Sequence, residues 1–410
     1  MISFKTSPAI ENMRNMLHMV AEGQMRPIAR QYDHHDAGRP WDYVNFMWES
    51  VKARAGEGAA KSGDGKKDGR PREANMLMVN IIEELAWGDA GIYLATPNAG
   101  LAGFAIEAVG TPEQKERFLK RFTEGEPKWG AMAITEPSCG SDTAAIEATA
   151  VRDGDEWVLN GTKIFVTGGL MAAQDSPGVL VVWATLDKKA GRAGIKSFVV
   201  EAGTPGMKVI KVEDKLGIRA SDTAAIVFED CRIPIDNILG SAEVVTSAGT
   251  AGFKGAMATF DASRPAVAAS GIGVARAALD ALKELLEKEG VKIRYDAPEH
   301  ELTAIERDVL DMEAQIQAAR LLTYRSAWMM DQRQHNALEA SMAKAKAGSV
   351  ATKATQKAVE ILGPLGYSQK LLFEKWMRDA KISDLYEGTQ QINLLIIARR
   401  LLDYSSKALS

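Results

Sequence analysis

Residues 156–166 read "EWVLNGTKIFV", and this stretch decides how the chain divides. Valine, isoleucine, phenylalanine and tryptophan crowd it, residue types that suit a pleated, half-buried surface. Asn160-Gly161 is the strongest short signal for a β-hairpin, because a two-residue turn of that kind needs positive φ. The same texture spreads outward. "GVLVVWATL" (178–186), "KSFVVEA" (196–202) and "AAIVFEDCRIP" (224–234) are apolar runs punctuated by Gly, Pro and Asp. Residues 129–247 are therefore expected to form a small antiparallel β-barrel or sandwich.

On both sides the periodicity is helical. "AIENMRNMLHMVAEGQMRPIARQYD" (9–33) and "EANMLMVNIIEELAWGDAGIYLA" (73–95) place apolar residues at helical spacing. In "GTPEQKERFLKRF" (110–122) Thr111 is an N-cap and Pro112 the first helical residue. The polar Gly/Lys stretch at 53–71 lacks apolar content and is expected to be a mobile loop. After residue 250, long helical patterns at 265–289, 303–331, 337–362 and 390–407 suit an antiparallel four-helix bundle. The expected fold is mainly α with a central β-domain: an N-terminal helical domain (1–128), the β-domain (129–247) and a C-terminal bundle (248–410), without βαβ alternation or a parallel sheet.

Composition excludes several function classes. The chain has 410 residues, 46% hydrophobic and 25% charged, with net charge -4. No global basic field recruits nucleic acid, and no apolar run suggests a membrane span. No signal segment is seen, so a cytoplasmic, bacterial-type protein is expected. Cys139 and Cys231 are unpaired in spacing, and the five histidines form no metal motif, the His34-His35 pair reading as a polar loop. "SGIGVARAAL" (270–279) lies inside a helical pattern, so its glycines read as close helix packing rather than a dinucleotide turn. "SMAK" (341–344) matches S-x-x-K, but its Ala/Lys-rich helix carries no companion motif for a serine nucleophile.

"ISDLYEGTQQINLLIIARRLL" (382–402) poses the chemical question. Glu387 stands just before an apolar helix, either as a first-turn charge or as the base of an active site. Four stretches in register bear on it: "GTPEQKERFL" (110–119), "MAITEPSCGSD" (132–142), "DKLGIRASDTAAIVFEDCRIP" (214–234) and "MRDAKISDLYEGTQQINLLIIAR" (377–399). In this order and spacing they resemble the acyl-CoA dehydrogenase family, over nearly the whole chain.

The resemblance implies bound FAD, a homotetramer (or homodimer), and α,β-dehydrogenation of an acyl-CoA thioester to the trans-2-enoyl-CoA. Glu387 matches the family's catalytic base, which takes the α-proton while the β-hydride passes to flavin N5. Electrons then leave to an electron-transfer flavoprotein. Ser263 falls where a subset of the family carries its base instead, and serine cannot do that work unaided. Met132, Ile134 and Thr135 match main-chain contacts to the flavin ring, and Ser141 matches a group near the FAD phosphates and the pantetheine arm. Phe165 and Thr167 match the residues flanking the isoalloxazine. Phe260, Asp261 and Arg264 match the helix that holds the CoA arm, and Tyr386 the wall beside the thioester. Thr389 and Gln391 match residues that hold the dinucleotide part of FAD.

The sequence departs from the family in the part of the FAD site that a neighbouring subunit completes. In place of "R-x-x-F-G" it reads "GVKIRYDAPEHELTAIERDVLDM" (290–312), where Lys292 or Arg294 could supply the cation and Tyr295 the aromatic; Thr303 falls at a Gln position. In "EILGPLGY" (360–367) Gly363 keeps the first glycine, Glu360 replaces Gln and Pro364 replaces the second glycine. A carboxylate near an anionic cofactor needs a cation partner, and Lys292 or Arg294 is expected to provide it. Alternatives left open are an acyl-CoA oxidase, a relative doing other acyl-CoA chemistry, and a DNA-binding flavoprotein of the same fold.

Overall fold

The computed structural model describes residues 6–34, 36–62, 72–244 and 251–404. The helical, β, helical order is observed. The first region comprises α1 (Pro8–Val20), α2 (Trp41–Ser62), α3 (Ala74–Gly88), α4 (Ala90–Leu94), α5 (Gly100–Val109) and α6 (Pro112–Leu119). Helix α2 runs through Ser62, so the loop expected over 53–71 does not start at 53; residues 63–71 and His35 lie outside the described residues. Thr111 caps α6 as expected, in a reciprocal box with Gln114.

The middle region holds β1 (Gly130–Ala133), β2 (Thr149–Asp153), β3 (Glu156–Thr167), β4 (Val179–Thr185), β5 (Ile195–Glu201), β6 (Met207–Val212) and β7 (Thr223–Pro234). They form one sheet in the order β1-β4-β2-β3-β7-β6, with β5 also on β4. The sheet is mixed rather than wholly antiparallel, since β1 and β2 both run parallel to β4.

The hairpin expected at Asn160-Gly161 is not there. The chain turns at Gly154-Asp155, closed by the Asp153–Glu156 pair, with Gly154 at φ +61°. Asn160 and Gly161 lie inside one long strand, at a register shift against β7. The Asn160 side chain exchanges two hydrogen bonds with Asp230 there. A Cβ on Gly161 would meet that of Ala148 at 2.6 Å, so the glycine serves close approach rather than a turn.

The last region contains α7 (Ala251–Lys288), α8 (Ala304–Asp331), α9 (Ala337–Leu362), α10 (Pro364–Tyr367), α11 (Phe373–Ala380) and α12 (Gln390–Leu401). Helix α7 begins earlier than the expected 265 and carries Pro265 inside it. Part of it, Gly255–Lys288, is long and apolar enough to cross a membrane, but 78% of that apolar window is buried in the protein. The glycines of "SGIGVARAAL" do permit close packing. A Cβ on Gly273 would lie 2.4 Å from the Glu83 carbonyl of α3, and one on Gly271 would lie 3.2 Å from Ser383 Oγ.

One buried cluster ties the three regions together. Lys375 Nζ lies 2.5 Å from Asp89 and 2.6 Å from Asp379, and all three side chains are nearly inaccessible. Asp379 also accepts the Ile218 amide at 2.5 Å, while Asp89 caps α4 through the Ile92 amide. A Cβ on Gly217 would collide with the Arg378 backbone at 2.6 Å. The motifs "DKLGIRASD" and "MRDAK", distant in sequence, are thus two halves of one joint. Beside it Arg378 reaches Asp33 and the Leu216 carbonyl.

Candidate active site

The loop carrying Glu387 ends the path from α11 to α12. Thr389 caps α12, accepting from the Ile392 amide at 3.3 Å. Glu387 therefore stands two residues outside the cap, and the first turn holds no acid. The reading as a first-turn charge is removed. Its backbone is left-handed (φ +57°) and Gly388 follows at φ +89°. A non-glycine residue there carries a backbone penalty of about 1–2 kcal/mol, which the surrounding contacts must offset. Asn393 Nδ2 donates to the Gly388 carbonyl at 2.8 Å, Lys344 Nζ donates to the same carbonyl at 2.5 Å, and Arg264 Nε approaches the Glu387 carbonyl at 3.4 Å.

The carboxylate points inward and is 9% exposed. Ser263 Oγ donates to its Oε2 at 2.5 Å. Pro265 follows Ser263 and Arg264 inside α7. Proline has no amide to offer the Asp261 carbonyl one turn back, and Asn336 Nδ2 fills that place at 3.1 Å. Arg264 bonds Asp261 at 3.2 Å and Ser341 Oγ at 3.3 Å, and lies over the Phe260 ring. Burial raises the Glu387 carboxyl above its ordinary pKa, and Ser263, Arg264 and Lys344 oppose that rise. Burial likewise raises Asp261, with Arg264 opposing, and pushes the Tyr386 hydroxyl up to about 12. Tyr93 of α4 lies within the electrostatic reach of Tyr386, and burial raises its hydroxyl as well. Ser341, Lys344, Asn393 and Tyr93 were not predicted as site residues.

These contacts set the pH response. The rate of a reaction using Glu387 as base rises as the carboxyl loses its proton. Ser263→Ala removes a hydrogen bond to the charged form, so the acid limb of the pH–rate profile is expected to move upward. The alkaline plateau should stay near that of the parent. Stopped-flow rates across pH check this.

A second group of residues gathers at the end of β1 and the end of β3. An outward bulge between Lys163 and Val166 places Phe165 at φ +57° and 61% exposed, while Thr167 is half-buried. The Ile164 amide bonds the Thr135 carbonyl at 2.9 Å, joining this strand to "MAITEPSCGSD". Met132 and Ile134 are buried, and Ser141 is exposed. Glu136, which carried no expected role, holds the loop closed. Its carboxylate accepts the Glu147 and Ala148 amides and pairs with the fully buried Lys163 at 2.6 Å. Asp222 fixes the next turn through the Leu170 amide and Arg39.

Family models for the acyl-CoA dehydrogenase N-terminal, middle and C-terminal domains match residues 7–126, 131–231 and 250–402. The chain belongs to the acyl-CoA dehydrogenase family. The short-chain specific mitochondrial acyl-CoA dehydrogenase of Rattus norvegicus is 36% identical, over 95% of this chain and 89% of its own length. Butyryl-CoA dehydrogenase from Megasphaera elsdenii superposes with TM-score 0.83 at 32% identity, over 98% of this chain and 100% of that one. A chain from a structure described as the electron transferring flavoprotein of Acidaminococcus fermentans gives TM-score 0.82 at 32% identity, with coverage of 98% and 100%. The protein is thus an oxidoreductase of an FAD-dependent family.

The residues on β1 and β3 fit a flat dinucleotide cofactor. A strained, solvent-facing phenylalanine on an otherwise well-packed strand has no partner ring within the described residues, which suits a planar group laid against it. The dinucleotide side is less complete in one acyl-CoA dehydrogenase chain. Thr389 is engaged as a helix cap, Gln391 is exposed, and Lys292 and Gly363 lie far along the chain from both groups, at the ends of α7 and α9. Arg294 is committed to Glu306 of its own chain, at 2.6 and 2.8 Å. The cation beside Glu360 is neither Lys292 nor Arg294 but Lys357, one helical turn earlier at 2.8 Å. An i, i+3 search along α9 would have found it.

Proposed function

We propose that this enzyme oxidises short-chain acyl-CoA thioesters to trans-2-enoyl-CoA, with Glu387 as the base that removes the α-proton. The observation that carries the reading is a buried carboxylate on a left-handed turn, hydrogen-bonded through one oxygen to Ser263 and flanked by two buried cations. FAD, when bound, supplies the acceptor for the β-hydride. Met132, Ile134, Thr135, Phe165 and Thr167 would hold its ring, and Ser141, Thr389 and Gln391 its phosphate-bearing part.

The chain's own residues do the rest. With Oε2 held by Ser263, Oε1 is free to receive the proton from Cα of the thioester. The Glu387 amide would donate to the thioester carbonyl as negative charge develops there. Burial keeps water from competing for the carboxylate and keeps its pKa high enough to make it an effective base. Phe260, Asp261 and Arg264 would form the part of α7 that holds the CoA arm and orders the base, and Tyr386 would wall the thioester. The short-chain preference rests on the named relatives. Electron-transfer flavoprotein as partner is supported by the Acidaminococcus fermentans structure. A homotetramer accords with the exposed leucines at 385, 394, 395, 401 and 402.

The test is anaerobic mixing of FAD-loaded protein with butanoyl-, hexanoyl-, octanoyl- and isovaleryl-CoA. Fastest bleaching of the flavin band by butanoyl-CoA is expected. A protein that neither binds FAD nor is bleached by any of these thioesters would overturn the reading.

A further inference from the structure

Lys344 is the least expected group near the base. It sits in the middle of α9 with its side chain 1% exposed, yet it makes no ion pair among the described residues. Its one hydrogen bond runs to the Gly388 carbonyl at 2.5 Å, a carbonyl that Asn393 already serves. Burying an ammonium for a redundant hydrogen bond is unfavourable unless its charge has a use. Two carboxylates lie within its field, Asp384 and Glu387. Asp384 is partly satisfied, since its Oδ2 takes Thr352 and Lys381 while its Oδ1 is buried without a hydrogen bond. One turn along α9, Gly348 lets the loop lie against the helix: a Cβ there would stand 2.6 Å from the Ser383 carbonyl. Lysine and glycine together seat the base loop on α9.

Resting on the assignment of Glu387 as base, we propose that Lys344 is a positioning residue for it, pinning the left-handed turn through the Gly388 carbonyl and supplying positive charge opposite the carboxylate. The titratable and charged groups around the pair are Arg264 and Asp261 from α7, Tyr386, Lys381 and Asp384 from the loop and the turn before it, and His335 and Arg400, which both act on Asp261. Arg264 is the other cation near Glu387, and its guanidinium is already engaged by Asp261 and Ser341. Burial pulls the Lys344 ammonium down to about 8, so it is cationic at neutral pH and below.

The test follows the Glu387 carboxyl directly, by its protonated C=O infrared band in FAD-loaded enzyme against pH, identified by its absence in Glu387→Gln. It also follows the pH profile of flavin reduction. In Lys344→Met the infrared midpoint and the acid limb are expected to rise together by about one pH unit. The plateau rate should fall about tenfold as the turn loosens, with FAD content and acyl-CoA affinity unchanged. Lys344→Arg should restore the midpoint. Lys344→Gln, which keeps a donor but loses the charge, should show the same upward shift and carries the test if Lys344→Met does not fold. An unmoved midpoint in the Met and Gln variants, whatever their thermal stability, overturns the proposal. Flavin reduction that survives in Glu387→Gln overturns instead the base assignment beneath it.

Discussion

Glu387→Gln is expected to bind FAD and acyl-CoA as the parent does and to reduce its flavin roughly 10³-fold more slowly. The amide keeps the shape of the side chain and can still meet Ser263 Oγ, so the pocket should be preserved. It has no lone pair basic enough to take a proton from carbon. The same substitution is expected to raise the thermal midpoint. The Glu387 carboxyl has its pKa raised by burial, so its contribution to stability is greatest below the unfolded carboxylate range and is lost as pH rises through the folded value. Near neutral pH a neutral isostere removes that penalty, as well as the activity. Loss of rate with gain in stability is what an active-site carboxylate predicts; a carboxylate kept for structure predicts the reverse.

The second large effect lies away from the chemistry. Lys375→Met is expected to destabilise the folded chain by about 3–5 kcal/mol, because Asp89 and Asp379 are left buried without their cation. Asp379 has its pKa raised by burial, with Lys375 opposing. Without the lysine the rise is larger. A carboxyl with a raised folded pKa is tolerated best when protonated, so the variant's deficit should shrink as pH falls and grow toward neutrality. Urea unfolding of parent and variant at acidic and neutral pH measures this. A deficit that does not change with pH would mean that the lost packing of the lysine stem, rather than the two charges, sets the cost.

The order of the regions was legible in the sequence because hydrophobic periodicity changes from helical to strand-like and back. Asn160-Gly161 misled for a definite reason. The dipeptide satisfies a turn and a bulge equally well, and only the approach of Ala148 and the pairing of Asn160 with Asp230 distinguish them. Parallel pairing of β1 and β2 with β4 left no local trace, since register depends on partners far along the chain. Within the site, Glu387, Ser263 and Arg264 could be named because they fall in recurring motifs, and the fold brings all three together. Lys344 was visible only as part of "SMAK", where an Ala/Lys-rich helix makes a lysine look solvent-facing; its burial is set by the loop that Gly348 admits. Lys163 was hidden because its carboxylate partner Glu136 is distant in sequence, and Lys375 because Asp89 is, although its second partner Asp379 lies only one helical turn on. The departures at Lys292, Arg294 and Glu360 were legible, but the partners that Arg294 and Glu360 take within the chain were not. Arg294 serves Glu306, and Lys357 serves Glu360.

The central claim, that Glu387 removes the α-proton of a thioester, can be tested apart from hydride transfer. A substrate analogue such as 3-thiabutanoyl-CoA has exchangeable α-hydrogens, but sulfur stands where the β-carbon would be, so oxidation cannot follow. FAD-loaded parent enzyme in deuterated buffer is expected to exchange those α-hydrogens, followed by proton NMR, and Glu387→Gln is expected to exchange them no faster than buffer alone. Exchange at the parent rate in Glu387→Gln would contradict the account and place the base elsewhere.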